Sequence, residues 1–77
     1  MDSDTYKYCL EDMGKILDEL SCDARKSYLA DKNDFNKGQL FAYYNIISTL
    51  QQQAKAFGID LKSIHLHDIN PDEDFLI

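Results

Sequence analysis

The first half of the chain repeats apolar residues at intervals of three and four, the spacing that aligns side chains along one face of an α-helix. On a helical wheel these residues fall within an arc of about 120°, and charged residues occupy the rest. They are Tyr6, Cys9, Leu10, Met13, Ile16, Leu17, Leu20, Ala24 and Tyr28. The pattern predicts one continuous amphipathic helix over residues 5–30 that buries this stripe.

A second run of helically spaced apolar residues predicts a helix over residues 34–57. Asn33 or Asp34 supplies an N-cap, and Gly58 stands where a left-handed residue ends a helix. The polar connection at residues 31–34 is short enough to join antiparallel neighbours. The sequence therefore predicts an all-α fold in which residues 1–77 form a single domain built on an antiparallel helical hairpin.

Residues 59–77, called the tail below, carry their own helix-start signals. Asp60 is placed to cap a short turn through residue 64. Asn70, Pro71 and Glu73 correspond to a cap, a proline at the first helical position and a glutamate at the third. We expect a short C-terminal helical turn over residues 71–76.

The apolar arc of the second helix spans about 160°, which is wider than one partner helix with a 120° stripe needs. We therefore expect the hairpin to assemble into a dimeric helical bundle, or to bind another protein. The alternative that stays open is that the tail covers this surface. The predicted contact residues are Leu40, Phe41, Tyr43, Tyr44, Ile47, Leu50 and Gln51.

Two features of this set leave more than one interpretation. Phe41, Tyr43 and Tyr44 combine a large contact area with polar tips, as interface anchors do, and they also suit an ordinary core. Gln51 lies close to the apolar arc, where a buried amide needs a hydrogen-bond partner and is able to set helix register. A surface glutamine on a helix is the other interpretation.

Charge is unevenly distributed along the chain. There are 14 acidic and 8 basic residues, giving a net charge of −6, and residues 35–58 contain no acid at all. Because this charge repels phosphates, we expect no nucleic-acid binding. It suits an alternative function, an acidic inhibitor or immunity-like protein that captures a basic protein.

The sequence also bears on location. No apolar run approaches the roughly 20 residues that span a bilayer. The N-terminus lacks the basic start and apolar segment of a signal peptide, and two cysteines are too few for a disulfide scaffold. We expect a cytoplasmic protein without membrane contact.

Candidate chemistry is sparse. His65 and His67 would share a metal only in an extended segment with further ligands, and Asp68 alone adds little. Cys9 lies on the apolar stripe and Cys22 on the opposite side, with no base assigned to either. We predict no metal, no cofactor and no enzymatic activity. The expected function is a small protein–protein interaction module that self-associates.

Overall fold

Two long helices and a folded tail make up the structure. The computed structural model describes residues 3–77, so Met1 and Asp2 of the predicted domain lie outside the described residues. The elements are α1 (Ser3–Ala30), α2 (Asp34–Ala56), a 3₁₀ turn (Leu61–Ile64) and α3 (Pro71–Phe75). Residues 3–77 contain no strand. The predicted all-α hairpin with a short C-terminal helical turn is confirmed.

Local capping explains where the helices begin and end. The Asn33 side chain accepts a hydrogen bond from the backbone N–H of Asn36 at 2.8 Å, which confirms Asn33 as the N-cap of α2. The Asn36 amide in turn donates to the carbonyls of Ser27 (3.2 Å) and Asp31 (2.9 Å). Asn36 therefore ties the start of α2 to the end of α1, which fixes the hairpin turn.

The other predicted caps are also present. Gly58 follows α2 with φ of 70°, the left-handed region that glycine enters without steric cost. Asp60 accepts from the N–H of Lys62 at 3.1 Å at the start of the 3₁₀ turn. Asn70 accepts from the N–H of Glu73 at 3.3 Å, and Pro71 occupies the first position of α3.

The tail lies along one side of the hairpin and packs on both helices. It completes two buried clusters, one at each end of α2. The first consists of Ala24, Leu40, Ile47 and Phe75, and the second of Ala54, Ile64 and Leu66. We call this side of the hairpin the covered side.

The tail approaches the backbone of α1 closely at Gly14. A Cβ at this position would overlap the carbonyl oxygen of Ile64 and lie 2.8 Å from its carbonyl carbon. Only glycine leaves room for the backbone of the 3₁₀ turn here. Gly14 is buried although the sequence pattern places it on the polar side of the helix.

The predicted buried stripe of α1 is wrong in part. Helix α1 contacts the rest of the chain along a line that is rotated toward small residues, and the side chains on the other edge of the stripe stay exposed. The contact line runs through Leu10, Gly14, Leu17, Ser21, Ala24 and Tyr28. The physical reason is that glycine, serine and alanine let the tail and α2 approach the backbone of α1. The bulkier Met13, Ile16 and Leu20 are left outside.

The helices described by the structure include none that is both long enough and apolar enough to cross a bilayer.

Candidate functional site

The covered side of α2 is occupied by the chain's own tail. Leu40 and Ile47 are 2% and 0% exposed, so neither side chain is available at the surface of the folded chain. Phe75 of α3 packs in the same cluster, with the half-buried Tyr44 beside it. Of the two explanations that the sequence left open for this flank of α2, the tail provides the cover.

Gln51 holds the tail in place. Its Nε2 donates to two tail carbonyls, Leu66 at 2.9 Å and Ile69 at 2.8 Å. Both donor hydrogens of the amide are used, because an amide nitrogen carries two. The polar residue in the apolar arc thus has its partners within the same chain.

Two further contacts fix the tail. The Nε of Arg25 donates to the carbonyl of Asp74 at 3.1 Å, which joins α1 to α3. A hydrogen bond with the Asp72 carboxylate raises the pKa of the Tyr44 phenol above its ordinary value, and the charge on Asp72 raises it further. The described side chains contain no buried nitrogen or oxygen that lacks a hydrogen-bond partner.

The opposite side of the hairpin carries an apolar surface that no other segment of residues 3–77 covers. We call it the open face and define it by three residues of each helix: Met13, Ile16 and Leu20 of α1, with Tyr43, Ile46 and Leu50 of α2. Met13, Ile16 and Leu20 are between 45% and 53% exposed, and Ile46 is 44% exposed. Tyr43 and Leu50 are half-buried at the junction of the two helices.

The two halves of the open face are adjacent because of the antiparallel register. Ala24 lies beside Leu40 in one cluster, and Leu10 packs against the cluster of Ala54 in the other. Ile16 therefore lies near the level of Ile46. Single exposed apolar side chains are normal on a protein surface, but a continuous apolar row across two helices typically marks a binding surface.

The open face has two different edges. Along α1, the exposed acids Asp12, Glu19 and Asp23 follow Ile16 around the helix, on the side away from α2. Along α2, the corresponding edge holds only uncharged residues. These are Gln39, Ala42, Thr49 and Gln53, all exposed.

The predicted contact residues are divided between the two sides. Tyr43 and Leu50 lie on the open face, whereas Leu40, Ile47 and Gln51 are taken up by contacts within the chain. Phe41 is exposed on the covered side, stacked on Tyr44 with ring centroids 6.0 Å apart. The α1 half of the open face was missed at the level of sequence, because the whole stripe of α1 was assigned to the hairpin core.

Phe41 lines a groove of about 600 Å³ with the last two residues of the chain, Leu76 and Ile77. This groove lies between the first turns of α2 and the end of α3. It is a second apolar surface, which borders the tail and is separate from the open face.

The thiols lack the environment of a reactive cysteine. Cys9 and Cys22 are both free and exposed. Burial together with the neighbouring Asp18 carboxylate raises the pKa of Cys22, and the Cys22 thiol lies 3.7 Å from Asp18 Oδ1. A raised pKa lowers the thiolate fraction, which is the opposite of what a nucleophile needs. Cys9 contacts the sulfur of Met13 at 3.9 Å.

The two histidines lie at the end of the 3₁₀ turn and in the segment that follows it. His65 adopts a left-handed conformation with φ of 60° and ends the 3₁₀ turn, and His67 Nε2 lies 3.2 Å from Asp68 Oδ2. Between them, Leu66 is buried in the core. No group of three or more metal-binding side chains was found in the part of the chain that the structure describes.

Comparisons of this chain with protein-family models, with curated proteins and with solved structures found no match.

Proposed function

We propose that this chain is a protein–protein interaction module that self-associates through the open face. The observation that carries the proposal is the row of half-exposed apolar side chains on α1, beside Ile46 of α2. The tail already covers the other side of the hairpin, so the open face is the side of the two long helices that a second burial would cover. A helical bundle follows from pairing two such faces.

The small size of the chain supports burial of further apolar surface by association. A chain of 77 residues buries a modest share of its surface when it folds alone, and dimerisation is a common remedy. Transferring one half-exposed isoleucine out of water contributes about 1 kcal/mol. Four such side chains on each copy, Met13, Ile16, Leu20 and Ile46, supply several kcal/mol toward association.

We propose no catalytic role for this chain. The thiol of Cys22 has a raised pKa, and Cys9 is next to a thioether rather than a base. We propose a reducing compartment such as the cytoplasm as the setting, because both thiols are exposed and would otherwise oxidise.

Sedimentation equilibrium tests the proposal with a matched pair of variants. The wild-type chain, of 8.9 kDa, is expected to sediment with twice that mass at high micromolar concentration. Ile16→Glu removes an apolar contact from both copies and should weaken association by at least about 30-fold, since about 2 kcal/mol is lost.

Tyr8→Glu is the control for added charge. Tyr8 is also exposed, at 63%, but it lies on the side of α1 opposite to the hairpin contact. It should leave the association constant unchanged. A wild-type chain that stays monomeric at every concentration, or equal effects of the two variants, would contradict the proposal.

The acidic edge of α1 supports a second candidate, the acidic inhibitor of a basic protein. Asp12, Glu19 and Asp23 form an exposed row next to the open face, with Lys15 and Lys26 set further around the helix. Charge steering by such a row makes binding sensitive to salt. A monomeric chain that binds a basic protein tightly only at low salt would favour this candidate over self-association.

A further inference from the structure

The two edges of the open face differ in charge, and this difference bears on how two copies pair. The edge of α1 is acidic, with Asp12, Glu19 and Asp23, whereas the edge of α2 carries no charge. The two basic residues of α2, Lys37 and Lys55, lie on the flank of the covered side.

A twofold axis can bring two open faces together in two ways. If the axis runs parallel to the helices, α1 of each copy lies on α2 of the other. If the axis runs across the helices, α1 lies on α1 and α2 lies on α2. The second arrangement sets the acidic edges of the two copies opposite each other.

Electrostatics separates these arrangements. Carboxylates that face each other at an interface repel, and partial removal from water strengthens the repulsion. In the arrangement with the parallel axis, each acidic edge faces amide, hydroxyl and methyl groups instead. The absence of any acid from residues 35–58 is what makes this pairing free of like-charge contacts.

On the basis of the proposed self-association, we infer that the occupant of the open face is a second copy of this chain, bound with α1 of each copy on α2 of the other. The described chain measures 44 Å in its longest dimension and 16 to 20 Å in the other two. A whole side of the hairpin of these dimensions projects onto roughly 700 to 900 Å², close to the area of about 800 Å² that each partner buries in a stable interface.

The register of the pairing follows from the symmetry. An axis parallel to the helices keeps every residue at its own level, so Ile16 of one copy meets Ile46 of the other. Leu20 meets Tyr43 and Met13 meets Leu50 in the same way. The two Ile16 side chains lie on diagonal helices, roughly 13 Å apart for neighbouring helices spaced by 8 to 10 Å.

Disulfide trapping between single-cysteine chains tests the inference. Ile16→Cys and Ile46→Cys are each placed in a background in which Cys9 and Cys22 are replaced by serine, and the two chains are mixed by refolding together and then oxidised. A disulfide needs Cβ atoms about 3.5 to 4.5 Å apart. The mixture is expected to give a disulfide-linked heterodimer of the two variants, and each chain oxidised alone should remain unlinked.

Phe41→Cys in the same background is the negative control. Phe41 is exposed on the covered side and should form no disulfide with the Ile16→Cys chain. Circular dichroism verifies that each variant keeps its helix content, and thiol titration in denaturant verifies that each cysteine is reactive.

The outcomes separate this inference from the proposed function. Disulfides within each chain type alone, with none in the mixture, would overturn the arrangement while leaving self-association intact. Failure to trap any pair, with a wild-type chain of dimer mass, would place the dimer contact outside the open face and would also overturn the inference. A wild-type monomer would remove both this inference and the self-association on which it rests.

Discussion

Gly14 and Gly38 give a matched test of how the tail packs on the hairpin. Both glycines are inside long helices, where glycine is about 1 kcal/mol less favourable than alanine. A Cβ at Gly38 would have no neighbour within 4 Å, whereas a Cβ at Gly14 would overlap the Ile64 carbonyl. Helix propensity alone therefore predicts the same gain at both positions, and the structure predicts opposite effects.

The magnitudes follow from these contacts. Gly38→Ala should stabilise the fold by about 1 kcal/mol. At Gly14 the overlap involves backbone, so the 3₁₀ turn must move away and disturb the buried Ile64. Overpacking of this kind costs about 1 to 3 kcal/mol and exceeds the propensity gain. We expect Gly14→Ala to lower the free energy of unfolding by up to about 2 kcal/mol net, which is the cost of overpacking less the propensity gain of about 1 kcal/mol.

Thermal denaturation followed by circular dichroism provides the assay. For a chain of this size 1 kcal/mol corresponds to about 4 to 8 °C, so Gly38→Ala should raise the Tm by about that amount and Gly14→Ala should lower it. Chain concentration must be held constant, because association raises the apparent stability. Equal increases of the Tm in both variants would refute the close contact between α1 and the tail.

Three further predictions concern the tail and its anchors. Gln51→Glu should destabilise the fold by about 1 to 3 kcal/mol in urea denaturation, because a carboxylate cannot donate to the two tail carbonyls. Gln52→Glu, at the exposed neighbouring position, should have little effect. Equal effects of the two variants would count against the role of the Gln51 amide in holding the tail. His65→Gly should leave the Tm unchanged or raise it, since the left-handed conformation costs a non-glycine residue about 1 to 2 kcal/mol. A clearly lower Tm would show that the imidazole itself stabilises the fold. The raised pKa of Tyr44 means that folding favours the neutral phenol. The stability that this gives is fully present below the pKa of the phenol in the unfolded chain, and it is lost as the pH rises through the pKa of the phenol in the folded chain. Asp72→Asn should lower the Tyr44 pKa, measured by ¹³C NMR of the ring, and an unchanged pKa would contradict the hydrogen bond.

Local signals in the sequence predicted the elements and their ends well. The caps at Asn33, Asp60 and Asn70 and the left-handed Gly58 depend on residues a few positions apart, so short-range chemistry determines them. The continuity of α1 past Ser21 was also predictable, because the apolar periodicity continues to Ala24 and Tyr28. In the structure the buried Ser21 hydroxyl donates to the Asp18 carbonyl at 2.9 Å.

The position of the open face was not predictable in the same way. A helical wheel gives the width of an apolar arc but not which part of it meets the rest of the chain. That choice depends on the tail docking at Gly14 and on the two carbonyls that bind Gln51, both of which are contacts between distant segments. The excess apolar surface that the sequence assigned to α2 therefore lies largely on α1, at Met13, Ile16 and Leu20.

Self-association through the open face can be observed by an isotope-filtered NOE experiment on a mixture of labelled and unlabelled chains, which detects contacts between copies only. We expect NOEs between the methyl groups of Ile16 in one copy and those of Ile46 in the other, with none from Phe41 or Leu76 on the covered side. A spectrum without intermolecular NOEs at high concentration, or one with NOEs confined to the covered side, would contradict the claim that the open face is where this protein binds a second chain.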